Sequence, residues 1–421
     1  MADYQKAEEL RKAERFAEAE PMFAELWTQS GHRMSGWRYA YCLRKQGKFD
    51  EALDVGYGVI ERLPEDQWSK NELIWAIYNA RIKPAKEQDD LHQVIAAAEE
   101  ALQLGASDFA LKLIVFAVVD VARAAGKWET VAHWCDSLDR AELEIEAKQV
   151  GDNPIMSDRE RWFFARIKAA GELRQWEVAR TLGLEAGQTF PRRKDFARWA
   201  AKALAEQGHL AEAITELRDL LKRGKPEWYL YQDLAVCQLK ADDKEGALRN
   251  ACEAALAYGE DKAKVNVYAL QGRLWLERND FTFAAQSVAL ARQIRERESW
   301  SIPASLRQLD ADIQQAAAAS SAELPEISND IKLLSRTLRA AWQQGVEAGI
   351  TLAHGIITRL PPEKDFGFLR REDGGGDVYF KRREASQGCL KEGQRVAFVL
   401  EPAFDAKKQQ ETVRAVKIRP A

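Results

Sequence analysis

The chain has 421 residues, 46% of them hydrophobic and 30% charged, with a formal net charge of −4. That length buries more than one core and that composition excludes a disordered chain. The negative balance excludes a generally polycationic nucleic-acid binder, so any anion-binding surface must be local. The charge is uneven: from Val346 onward 14 Lys and Arg face 11 Asp and Glu, a balance of +3, which leaves −7 for the rest. Cys42, Cys135, Cys237, Cys252 and Cys389 are scattered and odd in number, without C-x-x-C spacing. They are expected to be free buried thiols in a reducing compartment rather than a disulfide or zinc framework. The opening MADYQKAEEL has no apolar core, and no apolar run approaches the ~20 residues of a membrane span. These features lead to an expectation of a cytoplasmic protein without membrane contact.

The first 300 residues are helical in pattern, rich in Ala, Leu, Glu, Arg and Lys, with apolar residues three and four apart. A longer period lies beneath. Small residues recur in pairs twelve apart: Ala7 and Ala19, Ala40 and Ala52, Ala201 and Ala213, Ala235 and Ala247, Gly272 and Ala284. Ala179, Ala213 and Ala247 follow one another at intervals of 34. Each second small residue lies three positions after a turn-closing residue: Phe16, Phe49, Trp176, Leu210, Lys244 or Phe281. Two helices joined by a tight turn approach to ~8–10 Å when small residues meet at the crossing.

This pattern resembles the tetratricopeptide repeat (TPR), whose period is about 34 residues. The repeats are placed near 4–31, 33–65, 71–104, 108–141, 160–192, 194–225, 228–259 and 265–298. The spacing lengthens across 71–141, where Val131 takes a small position, and 144–158 reads as an irregular joint or a longer helix. The resemblance implies a helical superhelix whose groove binds a protein or peptide, or assembles with itself. The tryptophans read as packing, with Trp162, Trp199 and Trp228 in first helices as groove candidates. Residues 301–348 read as a linker around 316–325 (AAAASSAELP) and a connecting helix capped near Ser328-Asn329-Asp330. That helix carries an apolar stripe, Ile331, Leu334, Leu338 and Trp342. A second stripe, Lys332, Arg336 and Arg339, is either a solvated face or a phosphate track.

From Ile350 the period becomes two. Five strands are expected near 351–359, 366–371, 376–381, 394–400 and 412–418, enough for a small closed barrel. Residues 355–382 resemble a bacterial cold-shock domain. Gly355-Ile356-Ile357-Thr358-Arg359-Leu360 stands for its Gly, two apolar residues and Lys-Trp-Phe. Lys364-Asp365-Phe366-Gly367-Phe368-Leu369 stands for its Lys-Gly-Phe-Gly-Phe-Ile, and Asp377-Val378-Tyr379-Phe380-Lys381-Arg382 for its Asp-Val-Phe-Val-His-Phe. Leu390 to Phe398 is similar to the start of its fourth strand. Alternation puts Phe366 and Phe368 on one face and Tyr379 with Lys381 on a face of the next strand, while Phe380 and Val378 point inward. The resemblance implies a face that stacks the bases of single-stranded RNA or DNA, formed by Arg359, Lys364, Phe366, Phe368, Tyr379, Lys381 and Arg382. Four ring-bearing positions of the family are lost, at Arg359, Leu360, Lys381 and Arg382, and three of them become cationic. Fewer stacked bases and a steeper salt dependence follow.

The expected fold class is therefore an all-α TPR-like array (1–300), a linker and connecting helix (301–348), and a cold-shock-like OB-fold barrel (349–421). No catalytic constellation stands out. His32, His92, His133, His209 and His354 show no metal spacing, and Gly374-Gly375-Gly376 lacks the Lys-Ser/Thr of a phosphate loop. The expected function is that of a non-enzymatic adaptor without cofactor. It would bind nucleic acid, RNA first, through the barrel and a protein, or itself, through the groove. The alternative is a scaffold whose barrel makes only protein contacts.

Overall fold

The structure, a computed structural model, describes residues 3–150, 153–223, 226–347, 352–385, 391–405 and 410–421. Cys389 and Leu390 lie outside these residues. The chain divides into two compact units, Met1–Leu220 and Leu221–Ala421.

The first unit is a series of helical hairpins. It contains α1 (Tyr4–Lys12) and α2 (Phe16–Ser30), then α3 (Arg33–Lys45) and α4 (Phe49–Arg62). Next, α5 (Gln67–Ile77) runs through a π-helical turn, Tyr78–Ile82, into α6 (Lys83–Glu87) and pairs with α7 (Leu91–Gln103). The series continues with α8 (Asp108–Ala124) and α9 (Trp128–Asp136), α10 (Asp158–Glu172) and α11 (Trp176–Thr189), and α12 (Lys194–Glu206) and α13 (Leu210–Lys222). The second unit holds α14 (Trp228–Lys240) and α15 (Lys244–Leu256), α16 (Val265–Glu277) and α17 (Phe281–Arg297), and α18 (Ala304–Ala319) and α19 (Ile331–Glu347). A TPR-like array of helix pairs followed by a barrel is the fold of this chain.

The small-residue spacing has a direct structural counterpart. Ala7, Ala19, Ala52, Ala201, Ala213, Ala235, Ala247 and Ala284 are fully buried. A Cβ at Gly272 would stand 2.6 Å from Cγ2 of Val288, so the α16–α17 crossing has no room for one. In every pair except α18–α19, the hairpin turn places one residue in the left-handed region two positions before the second helix. Gly47, Gly126 and Gly208 do so, but so do Glu14, Asp89, Arg174, Asp242 and Asn279. In each, the next amide closes back on the first helix, as Gln175 N does on Ala170 O at 2.8 Å and Asp280 N on Trp275 O at 3.0 Å.

Two departures from the expected repeats have local causes. The third pair is long because its first helix spans α5, the π-turn and α6; the turn resets the hydrogen-bond register just before Pro84, which lacks an amide donor. The joint at 144–158 contains a short hairpin, β1 (Lys148–Val150) and β2 (Asn153–Ile155), and no longer helix.

Residues 301–348 are more than a connection. Leu306 and Ile313 of α18, and Leu334, Leu338 and Trp342 of α19, share one core with α15, α16 and α17. Asp330 caps α19 as its sequence suggests, accepting from Lys332 N at 2.8 Å. Lys332, Arg336 and Arg339 are exposed. Trp162, a groove candidate in the sequence, is instead core: it is 3% exposed, and its Nε1 donates to Cys135 O at 2.7 Å. Trp199 is half-buried and lines an open cleft of about 460 Å³ with Trp176, Lys168 and Lys202. The half-buried Trp228 closes on Gly259. Cys42, Cys135, Cys237 and Cys252 are free and buried, and burial pushes the thiols of Cys42, Cys135 and Cys252 up to about 12. Among the described residues no helix is long and apolar enough to cross a membrane.

The barrel comprises β3 (Ala353–Arg359), β4 (Phe366–Arg371), β5 (Asp377–Lys381), β6 (Arg395–Asp405) and β7 (Gln410–Pro420). It closes in the order β3-β4-β5-β7-β6, antiparallel except where β5 meets β7. That connectivity fits the OB-fold. Ion pairs from Lys417 to Glu253 and from Arg419 to Glu347 join β7 to α15 and α19.

Gly272→Leu should destabilise the chain by about 1–3 kcal/mol in urea unfolding, because the side chain overpacks against Val288. At Gly58 of α4 an added Cβ meets nothing within 4 Å, so Gly58→Ala should stabilise by about 0.5–1 kcal/mol. Equal effects would contradict the account.

Candidate nucleic-acid interface

The period of two in β4 and β5 sorts side chains between an inner and an outer face. Inside, Ile357, Leu369, Val378, Phe380, Val396, Phe398, Ala415 and Ile418 form the barrel core. Gly367 faces Phe380 across the β4–β5 ladder, and a Cβ there would lie 2.6 Å from Cζ of Phe380. The glycine therefore makes room for a core ring.

Outside, Phe366, Phe368 and Tyr379 are each half-buried and form one cluster. Ring centroids lie 5.8 Å apart for Phe366 and Phe368, 5.6 Å for Phe366 and Tyr379, and 6.0 Å for Phe368 and Tyr379. Phe368 pairs with Tyr379 across the ladder, and Phe366 with Lys381. On the other side of β4, Arg359 pairs with Phe368. The structure thus brings together Arg359, Phe366, Phe368, Tyr379 and Lys381. Lys364 is exposed in the β3–β4 connection, one residue ahead of the Asp365 carbonyl that accepts from Arg382 N at 3.0 Å.

Arg382 differs from the others. Its Nη2 donates to Pro361 O at 2.8 Å, so part of its guanidinium ties the β3–β4 connection to the short 3₁₀ turn after β5. This contact joins residues 21 positions apart and leaves no local mark in the sequence. One neighbour was missed for the same reason: Arg414 of β7 stands beside Tyr379 in the parallel pairing, with Nη2 2.9 Å from Glu401.

Cations on the barrel are of two kinds. Some are matched by carboxylates: Arg370 with Asp377 at 2.8 Å, the next cross-strand pair on the same outer face of β4 and β5, Arg414 with Glu401 beside Tyr379, and, elsewhere, Arg395 with Glu372 at 2.7 Å and Arg371 with Asp373. The guanidinium hydrogen bonds hold Asp377, Glu372 and Asp373 below the usual carboxylate range. Among the described residues, Arg359, Lys364, Lys381 and Arg382 have no carboxylate partner. The result is a cluster of partly open rings bordered by uncompensated cations. No group of three His, Cys, Asp or Glu among the described residues is placed to hold a metal ion.

The barrel ribbon also exceeds its expected length. β6 and β7 run on past 400 and begin before 412, pairing Pro402 with Val413 and Phe404 with Glu411. Proline tolerates this because it lies where the ribbon has no further neighbour to receive a hydrogen bond.

Comparisons with known proteins bear on the helical part. A family model described as "Domain of unknown function (DUF7017)" matches residues 197–332, which run from α12 into α19 and exclude the barrel. No curated protein matches the chain. Solved structures include a tetratricopeptide repeat protein from Parabacteroides merdae, at 12% identity and TM-score 0.29, covering 63% of this chain and 96% of that one. The TPR domain of P58(IPK) aligns at 14% identity and TM-score 0.29, covering 76% and 98% respectively. A human IFIT1 dimer with m7Gppp-AAAA aligns at 13% identity and TM-score 0.39, covering 81% and 79%. The fold assignment rests on the helix pairing and strand connectivity given above.

The division into faces can be measured. Phe380→Ala should cost the barrel about 3–5 kcal/mol, and Phe368→Ala about 1 kcal/mol, read from hydrogen-exchange protection of barrel amides in the full chain. Comparable losses would place Phe368 in the core.

Proposed function

We propose that the barrel binds single-stranded nucleic acid, RNA in the first instance, on the face of Phe366, Phe368 and Tyr379. The helical array would hold a protein partner or a second copy of the chain. The observation that carries this reading is the coincidence of partly open rings with cations that lack carboxylate partners. Rings take up bases by stacking, at about 1–3 kcal/mol per base, with little demand on sequence. Arg359, Lys364 and Lys381 would meet phosphates, while Arg382 would act chiefly by fixing the β3–β4 connection. The motif resemblance to cold-shock domains supports the same ligand. On this reading the protein is a cytoplasmic, non-enzymatic adaptor without cofactor; its buried free thiols suit a reducing compartment.

The rival reading, a barrel that touches only protein, draws on the family rings missing at Arg359, Leu360, Lys381 and Arg382. Titration of the full chain against a fluorescent single-stranded oligonucleotide at several salt concentrations separates the two. Phe368→Ala should weaken binding by about 1–3 kcal/mol. Lys381→Ala should reduce the slope of log K against log salt by about 0.7. Affinity and slope unchanged in both variants would favour the rival.

A further inference from the structure

Trp68, the second residue of α5, is 61% exposed, an unusual position for so large an apolar ring. Its indole does not lie loose on the surface. It stacks on Trp37 of α3, with centroids 5.5 Å apart and planes 18° from parallel. Trp37 is itself fixed: the Arg38 guanidinium lies 4.1 Å from its ring centroid and the Arg11 guanidinium 5.9 Å. Glu8 holds both guanidiniums, at 2.7 Å from Arg11 and 2.8 Å from Arg38. The assembly spans α1, α3 and α5, the first helices of three successive pairs. Phe109 holds the same second position in α8, with its ring tilted 45° against that of Trp75 rather than stacked on it. It is 57% exposed, its ring lies 6.0 Å from that of Trp75, and Lys112 Nζ stands 5.8 Å from its centroid.

We infer that this face of the helical array is a second binding site for single-stranded nucleic acid, with Trp68 as the platform for one base. Three observations favour that ligand over a peptide. The indole is offered as an open flat face rather than a concavity, which suits a base and gives an aliphatic side chain little to enter. It is held rigidly by Trp37, so little freedom remains to be lost on binding. The charge around it is net positive: Arg11, Arg33, Arg38, Arg44, Lys45 and Lys70 face Glu8, Glu65, Asp66 and Glu72. The Arg33 side chain is 68% exposed, while its partner Asp66 is 4% exposed and already accepts from Ser69 N and Oγ. Arg33 Nε and Nη2 both donate to Asp66 Oδ1, at 3.2 and 3.0 Å, so Nη1 is the part of the guanidinium left for a phosphate beside the base. The site uses none of the barrel residues, and it stands or falls separately from the reading of the barrel.

The test is anisotropy titration of a fluorescent single-stranded oligoadenylate with four full-length proteins: the unaltered chain, Trp68→Ala, Trp68→Phe and Phe368→Ala. Trp68→Ala should weaken binding about tenfold, and Trp68→Phe should recover most of it, since a smaller ring still stacks. A loss in Trp68→Ala with none in Phe368→Ala would sustain this site and remove the barrel reading; the reverse would do the opposite. Should Trp68→Ala lower the melting temperature, the unaltered chain carrying 5-fluorotryptophan supplies the answer. Its Trp68 resonance, assigned from Trp68→Phe, should shift on adding oligoadenylate. No shift at saturation would overturn the inference.

Discussion

The outer face of the barrel depends on one internal contact: the ring of Phe380 fills the space that Gly367 leaves open. Gly367 and Phe380 are cross-strand partners, so this contact sets which residues of β4 and β5 turn inward. Once it is set, alternation leaves Phe366, Phe368 and Tyr379 no other side to occupy. Ordinarily three rings in a small domain would be drawn into its core. Here Leu369, Val378, Phe380 and Phe398 already fill the interior. The partial exposure of the outer rings follows from competition for core volume that they lose.

A similar division runs through the charges. Several cations on the barrel form salt bridges in which both partners are accessible, and such pairs contribute little to stability. Their effect is to cancel local fields, on the outer face of β4 and β5 at Arg370 and Asp377 as well as elsewhere on the barrel. Arg359, Lys364 and Lys381 have no such partner among the described residues. Two further cations, Lys417 and Arg419, bind the barrel to carboxylates of α15 and α19. Within the second unit the barrel is thus attached to the helical array, whose last helices belong to the array's core.

What was legible in the sequence is what local physics enforces. Helix crossings demand small residues, so the Ala and Gly spacing revealed the hairpins. Strand alternation demands two faces, so Phe368 and Phe380 could be assigned to opposite sides. The π-turn at Tyr78–Ile82 was visible only as a lengthened interval, because Pro84 alone does not say how the helix will absorb it. The β6–β7 ribbon runs past its expected ends at 400 and 412, and Pro402 is tolerated there because β3 pairs with β6 only as far as Phe398. The commitment of Arg382 to Pro361 O, and the pairing of Lys417 with a residue 164 positions away, depend on tertiary approach and have no local signature. Trp162 and Trp68 show the same limit in opposite directions. Both lie in first helices, yet one is buried and the other exposed; their neighbours decide, not their spacing.

The central claim is that nucleic acid lies across β4 and β5. Photo-crosslinking of a single-stranded RNA carrying 4-thiouridine to the full chain, followed by peptide mapping, observes that position directly. The account predicts cross-links at low salt within 366–381, at Phe366, Phe368 or Tyr379, that fade as salt rises. RNA that cross-links nowhere in the barrel at low salt would contradict it.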